Sequence, residues 1–211
     1  PDEISGSSGF YGGDNVEKAV SVEVLYADDP AASHQANSGI ESHSHLRAKR
    51  SLRLNFRAEY GDSKFNTDLM EKAPLNGDTA SNKLDKIILR GGNNRCWCRD
   101  FNPDKTTYTI DQFYRDTQIA ATGSGMRGTY VHLYINGEYH GLYNAVERAD
   151  KHFLADYFDG DDADWFSTNH GIVHDGSDPL NGDRTRYDYL TTTLINKDMS
   201  QAANYAELQE Y

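Results

Sequence analysis

The chain has 211 residues, of which 37% are hydrophobic and 26% charged, enough apolar material for one domain with a real core or for a domain and part of a second. Its formal net charge of -12 argues against an electrostatic grip on nucleic acid or on an anionic membrane surface, while permitting cations and basic partners. No apolar run approaches the ~20 residues of a membrane span, and no signal peptide is visible.

Taken in chain order, residues 1–18 read as a mobile lead-in, rich in Gly, Ser and Asp. VSVEVLY (20–26) reads as a strand, and the polar stretch from Asp28 to Ser44 as a loop. SLRLNF (51–56) alternates cleanly and points Leu52, Leu54 and Phe56 inward. AEYGDSKF turns the chain, DTASNKLDK is a second loop, and IILRGG (87–92) is a short buried strand ending in a Gly-Gly break. Residues 93–106 form a long irregular connection. Thr109 and Gln112 then have capping-box spacing, and Ile110, Phe113, Tyr114, Thr117 and Ala121 fall on one helical face. Gly123 is placed for a left-handed stop.

The hairpin that follows carries the strongest local signal. YVHLYI and GLYNAV flank Asn136-Gly137, and Asn-Gly suits a type I′ turn because both central residues tolerate positive φ. Val131, Leu133 and Ile135 alternate with His132 and Tyr134, which predicts one buried face. Lys151–Phe158 reads as a short amphipathic helix that the charged segment Glu147, Arg148 and Asp150 either caps or sets at a cleft. Residues 159–183 show no clear period. Arg184–Asn196 reads as helical, and Ser200 is placed to cap a last helix with no stop signal. Strands with one helix, then mostly helices, give an α+β class rather than alternating βαβ. Fourteen tyrosines against three methionines suggest many half-buried positions with a polar tip.

Several chemistry-bearing patterns have a bland reading that the sequence favours. GSGMRG (123–128) matches G-x-G-x-x-G but follows a helix and opens a strand, the reverse of a dinucleotide fingerprint. Asp156, Asp159, Asp161, Asp162 and Asp164 lack the Gly and Glu of an EF-hand and read as a solvated loop. HGIVHDG (170–176) has two histidines four apart but glycines that oppose a helix and no Glu for H-E-x-x-H. Cys96 and Cys98 have no second pair to complete a metal site. A metal-dependent hydrolase built on these clusters is the weakest functional reading.

The basic residues at strand ends are different. Lys49 and Arg50 precede the SLRLNF strand, and Arg90 ends the IILR strand beside a glycine break. Such side chains can hold phosphate oxygens, and Asp111, Arg115 and Asp116 lie on the following helix. A cation on one element paired with an acid on a helix is how kinase-like sites anchor a nucleotide. Ordinary surface ion pairs are the alternative.

Four segments together, AKRSLRLNFRAEYGDSKF, DKIILRGGNN, DQFYRDTQIA and YVHLYINGEYHGLYNAVERADKHFL, resemble the spore coat protein H (CotH) kinase family over roughly residues 45–158. The resemblance implies a protein-kinase-like small lobe, an antiparallel sheet plus one long helix, over 19–148 after the 1–18 lead-in. The beginning of a helical large lobe would follow over 149–211, with a hinge near Val146 to Asp150. It also implies ATP and Mg2+ as cofactors, phosphoryl transfer to Ser or Thr of secreted or coat proteins, and a secreted or cell-surface location. By analogy with kinase geometry, Lys49 and Arg90 are expected as phosphate-side cations, with Asp111 or Asp116 positioning one of them, Arg115 nearby and Glu147 at the cleft edge. No segment up to Tyr211 resembles the catalytic and metal-holding motifs of kinases, so catalytic aspartates are expected further on and little activity from this chain alone. A non-catalytic surface or coat module that keeps the fold is the competing expectation.

Overall fold

The computed structural model describes residues 16–43, 49–73, 75, 77–92, 95–97, 103–165, 167–169, 172–174 and 185–210. They fall into two compact units that divide between Ala149 and Asp150.

The first unit is built on a six-stranded, wholly antiparallel sheet of order β1-β2-β3-β6-β8-β7. Its strands are β1 (Lys18–Val24), β2 (His34–His43), β3 (Ser51–Asn55), β6 (Lys86–Arg90), β7 (Gly128–Ile135) and β8 (Glu138–Glu147), and a two-residue pair, β4 (Phe65–Asn66) with β5 (Lys83–Leu84), lies between β3 and β6 in the chain. Helix α1 (Ile110–Thr122) connects β6 to β7. The α+β expectation holds at this level: a curled antiparallel sheet with few helices.

One face of the sheet is apolar. Leu52, Leu54, Phe56, Ile87, Leu89, Tyr143 and Ala145 form its core with Phe65, Leu69, Met70 and Leu84, and Val131, Leu133 and Ile135 of β7 pack against them. The alternation of SLRLNF and YVHLYI therefore reports the burial correctly. Phe56 and Phe65 stack with ring centroids 4.9 Å apart. The hairpin turns at Asn136-Gly137 with φ of 51° and 82°, the two positive values that a type I′ turn requires. Gly123 stops α1 with φ 75°, its N–H donating to Ile119 O at 2.7 Å.

Three expectations fail, for one reason. Asp28–Ser44 is not a loop: His34–His43 is a central strand, paired on both sides. Its buried residues are Ser38, Gly39, Glu41 and Ser42, so no apolar alternation marks it. Helix α1 does not turn Phe113, Tyr114, Thr117 and Ala121 inward; these are exposed, and its buried residues are Arg115 and Ile119. The Thr109–Gln112 capping box does not form, because Thr109 makes no side-chain cap bond and Gln112 is engaged elsewhere. In each case the surface being covered is polar. The predicted loop over 78–86 overlaps a 3-10 turn at Gly77–Thr79 and contains the strand β5.

The second unit holds α2 (Lys151–Phe158), a short hairpin β9 (Ser167–Asn169) and β10 (Ile172–His174), α3 (Thr185–Thr192) and α4 (Ala202–Glu210). Asp150 caps α2, its carboxylate accepting from His152 N at 3.1 Å and Phe153 N at 3.4 Å. Before α4 it is Asp198, not Ser200, whose carboxylate accepts, taking the Ser200 N–H at 3.0 Å. Most of the HGIVHDG segment lies outside the described residues, as does Cys98. Among the described residues no helix is long and apolar enough to cross a membrane.

Phe56→Ala removes a fully buried ring from the centre of the apolar layer and is expected to cost about 3–5 kcal/mol in urea unfolding. Leu25→Ala, at a position 71% exposed, is expected to stay within about 0.5 kcal/mol.

Candidate functional site

The second face of the same sheet is largely buried and sets polar groups around two apolar residues, Ile88 and Val146. Register and alternation place Glu41 and His43 of β2, Ser51, Arg53 and Asn55 of β3, Arg90 of β6, Asn144 of β8 and Tyr130 of β7 on it. Glu41, Ser51, Asn55 and Asn144 are buried. Taking charged and amide groups out of water costs free energy unless each finds a partner, so the partners of these groups decide what the face can do.

Its outer part is an acid–base lattice. Arg53 Nε donates to Glu41 Oε1 at 2.8 Å, and its Nη2 donates to the same oxygen. Asn55 Nδ2 donates to Glu41 Oε1 at 2.7 Å and to Glu17 Oε2 at 2.8 Å, and Arg57 pairs with Glu17 at 3.1 Å.

Its inner part lies under α1. Arg90, the last residue of β6, sits opposite Asn144 in the ladder and pairs with Asp111 in the first turn of α1, Nη2 to Oδ2 at 2.7 Å. One turn further along, Arg115 is 8% exposed. Its Nη2 donates to Gln112 Oε1 at 2.9 Å and to Asn144 Oδ1. Asn144 Nδ2 donates to Gln112 Oε1 at 2.9 Å and to Thr129 O at 3.1 Å, and Gln112 Nε2 donates to Asp116 Oδ1 at 2.9 Å. Arg115 thus has amide oxygens, not carboxylates, for direct partners, and its Nε is buried without a hydrogen bond. Burial, with the nearby Arg90 charge, pushes its guanidinium down to about 10, against the pull of Asp111, Tyr130 and Asp116; it remains charged at neutral pH.

Lys49 stands at the edge of this region. The ladder between β6 and β8 ends at Arg90 and Asn144, so Leu142 lies past the end of β6. Its carbonyl accepts from Lys49 Nζ and from the Tyr108 hydroxyl. Lys49 Nζ also donates to Tyr108 Oη at 2.7 Å and lies 4.7 Å and 4.6 Å from the ring centroids of Tyr108 and Tyr143, a cation–π contact on two sides. The close passage depends on Gly91, where a Cβ would meet Lys49 O at 2.7 Å.

The structure therefore gathers Arg90, Asp111 and Arg115 around Asn144, pairs Arg90 with Asp111 while Asp116 meets Gln112, and sets Lys49 beside Leu142 with its ammonium already caged. Glu147 is elsewhere. It lies five residues along β8 from Leu142, about 17 Å in an extended strand. There it is buried, and its carboxylate accepts from Arg127 N at 2.6 Å. Asn144, Gln112, Glu41 and His43 were not singled out as site residues from sequence. An amide inside the apolar run LYNAV was the one signal available for Asn144.

The family profile described as CotH kinase protein matches residues 39–211. The chain belongs to the CotH family. The match begins inside β2 and continues through the second unit, so it extends beyond the 45–158 stretch whose motifs carry the resemblance. No curated protein and no solved structure matches the chain.

His43 gives the polar face a pH dependence. Burial, reinforced by the charges of Arg148, Arg53 and Arg90, pushes its imidazole down to about 3. The unfolded chain takes up this proton near pH 6.5 and the folded one does not until near 3, so stability is full above 6.5 and falls as pH drops through that window. The expected slope is about 1.4 kcal/mol per pH unit. Urea unfolding between pH 7 and 5 measures it, and His43→Gln is expected to flatten the profile by one proton.

Proposed function

We propose that this CotH-family chain carries the nucleotide-holding part of an ATP-dependent phosphotransferase acting on Ser or Thr of secreted, surface or coat proteins. The observation that supports the reading most directly is the Arg90–Asp111 pair. A strand-borne cation is joined to a carboxylate on the helix that follows it in the chain, and a hairpin then returns a strand beside the first. This is the arrangement with which protein kinases fix a basic group at the nucleotide phosphates.

In this reading Arg90, 35% exposed at its side chain, faces phosphate oxygens, and Arg115 adds positive potential from behind while holding the helix. A buried, unengaged guanidinium nitrogen beside a second guanidinium fits an anionic group. Lys49 is assigned a share of the same field from the strand end, and Glu147 fixes the far edge of β8. Among the described residues no group of three or more His, Cys, Asp or Glu side chains is placed to hold a metal, so Mg2+ is taken to arrive on the nucleotide. No described residue is assigned the transfer step itself, and an extracellular location follows from the same reading.

The second reading, a non-catalytic surface or coat module, is favoured by one observation. The Lys49 ammonium is caged by Tyr108, Tyr143 and Leu142 O, which makes it a structural staple as it stands.

Thermal unfolding with Mg-ATP separates the two. A ligand that binds only the folded state raises the melting temperature by mass action, by about 2.7 kcal/mol of stability at a hundredfold excess over Kd. A rise at millimolar Mg-ATP that is lost in Arg90→Ala is expected. No rise in the natural chain would count for the non-catalytic module, and an equal rise in Arg90→Ala would mean that the nucleotide is held elsewhere than at Arg90.

A further inference from the structure

Helix α1 has its one buried apolar residue near its C-terminal end. Of its thirteen residues the buried ones are Arg115 and Ile119, so the N-terminal half, which carries Asp111, has no buried apolar residue to hold it. That half is held instead by polar contacts, the Arg90–Asp111 pair and one amide. Asn144 is buried, sits opposite Arg90 across β6 and β8, and has both functions of its side chain engaged. Its Oδ1 accepts from Arg115, while its Nδ2 donates to Gln112 Oε1 and to Thr129 O on the neighbouring strand β7.

We propose that Asn144 is the positioning residue of this face: by bridging β7 and β8 to Gln112 and Arg115, it sets the rotation and rise of α1 so that Asp111, and not Asp116, meets Arg90. Asp111 and Asp116 are five residues apart, about 140° around and about 7.5 Å along an ideal helix, so only one of them can face Arg90 in a given setting. Gln112 completes the selection, because the amide that accepts from Asn144 also donates to Asp116 and holds that carboxylate away. A hydrogen-bonded amide suits the task better than an apolar contact, since its donors and acceptor fix direction as well as distance. The consequence for nucleotide holding rests on the function proposed above; the consequence for the Arg90–Asp111 pair does not.

The test is a double-mutant cycle. Arg90→Ala, Asp111→Ala and the double variant are compared by urea unfolding in the natural background and again with Asn144→Leu. Coupling between positions 90 and 111 is expected in the natural chain, lost with Asn144→Leu, and weakened with Asn144→Asp, which keeps the acceptor for Arg115 but loses the donor to Gln112 and Thr129 O. If Asn144→Leu does not fold, Asn144→Leu with Arg115→Met removes the buried charge together with its partner, a change that is often tolerated, and takes its place in the cycle. A coupling absent from the natural chain, or unchanged in the folded variants, overturns the proposal. Mg-ATP melting on the same proteins distinguishes the two failures. Coupling that collapses in Asn144→Leu, with no thermal shift in the natural chain, upholds the positioning role and removes the nucleotide reading.

Discussion

A guanidinium buried against a β-sheet, with only amide oxygens as direct partners among the described residues, is the constraint from which the rest of this site follows. Arg115 cannot be withdrawn from water cheaply, and on the sheet it is received by Asn144, an amide set within the apolar strand LYNAV. Once those two meet, the helix is committed to presenting Gln112, Asp111 and Asp116 around the same point, and its aromatic residues Phe113 and Tyr114 are left outside, 63% and 62% exposed. The cost of turning an amphipathic helix polar side inward is recovered by completing a hydrogen-bond network that neither element could satisfy alone.

The sheet divides its labour by face. The alternating residues of β3, β6, β7 and β8 give one side a dry core around Phe56, Leu89 and Tyr143, and stability lives there. The other side carries Glu41, Arg53, Asn55, Arg90 and Asn144, whose pairing is satisfied mostly within the face itself. Because the side-chain period of a strand is two, both faces are fixed by one register: slipping β3 by a residue would turn Leu52 and Leu54 onto the polar face and Arg53 into the core at once. The apolar layer therefore enforces the polar one, and the polar face inherits its precision from the core behind it.

The strand ends supply the remaining order. The ladder between β6 and β8 stops before Leu142, whose carbonyl would otherwise be left short of donors. Lys49 and Tyr108, from segments far apart in the chain, converge on it, and this convergence ties the entry of β3 and the entry of α1 to the same point on β8. Trp97 stacks on Tyr108 at 5.5 Å and Tyr130 lies 6.0 Å from it, so the tie is covered by aromatic rings. A basic residue chosen for its charge is used here also as a mechanical link.

The chain's own periodicity determined the apolar half of this molecule. SLRLNF, IILR and the Asn-Gly hairpin were legible because burial of apolar side chains writes a period of two, and a type I′ turn demands residues that tolerate positive φ. The motif order likewise carried the family, and strand-end cations next to an acid-bearing helix drew attention to Arg90, Asp111 and Arg115, which the fold brings close together. Tertiary structure alone decided the polar half. His34–His43 is a central strand without an apolar alternation, α1 buries the face that hydrophobicity would expose, and Glu147 stands far from Lys49 along β8. Polar burial leaves no periodic trace, because a Glu, Asn or Arg is stabilised inside only by partners that distant segments bring, and which partners arrive is a property of the assembled sheet.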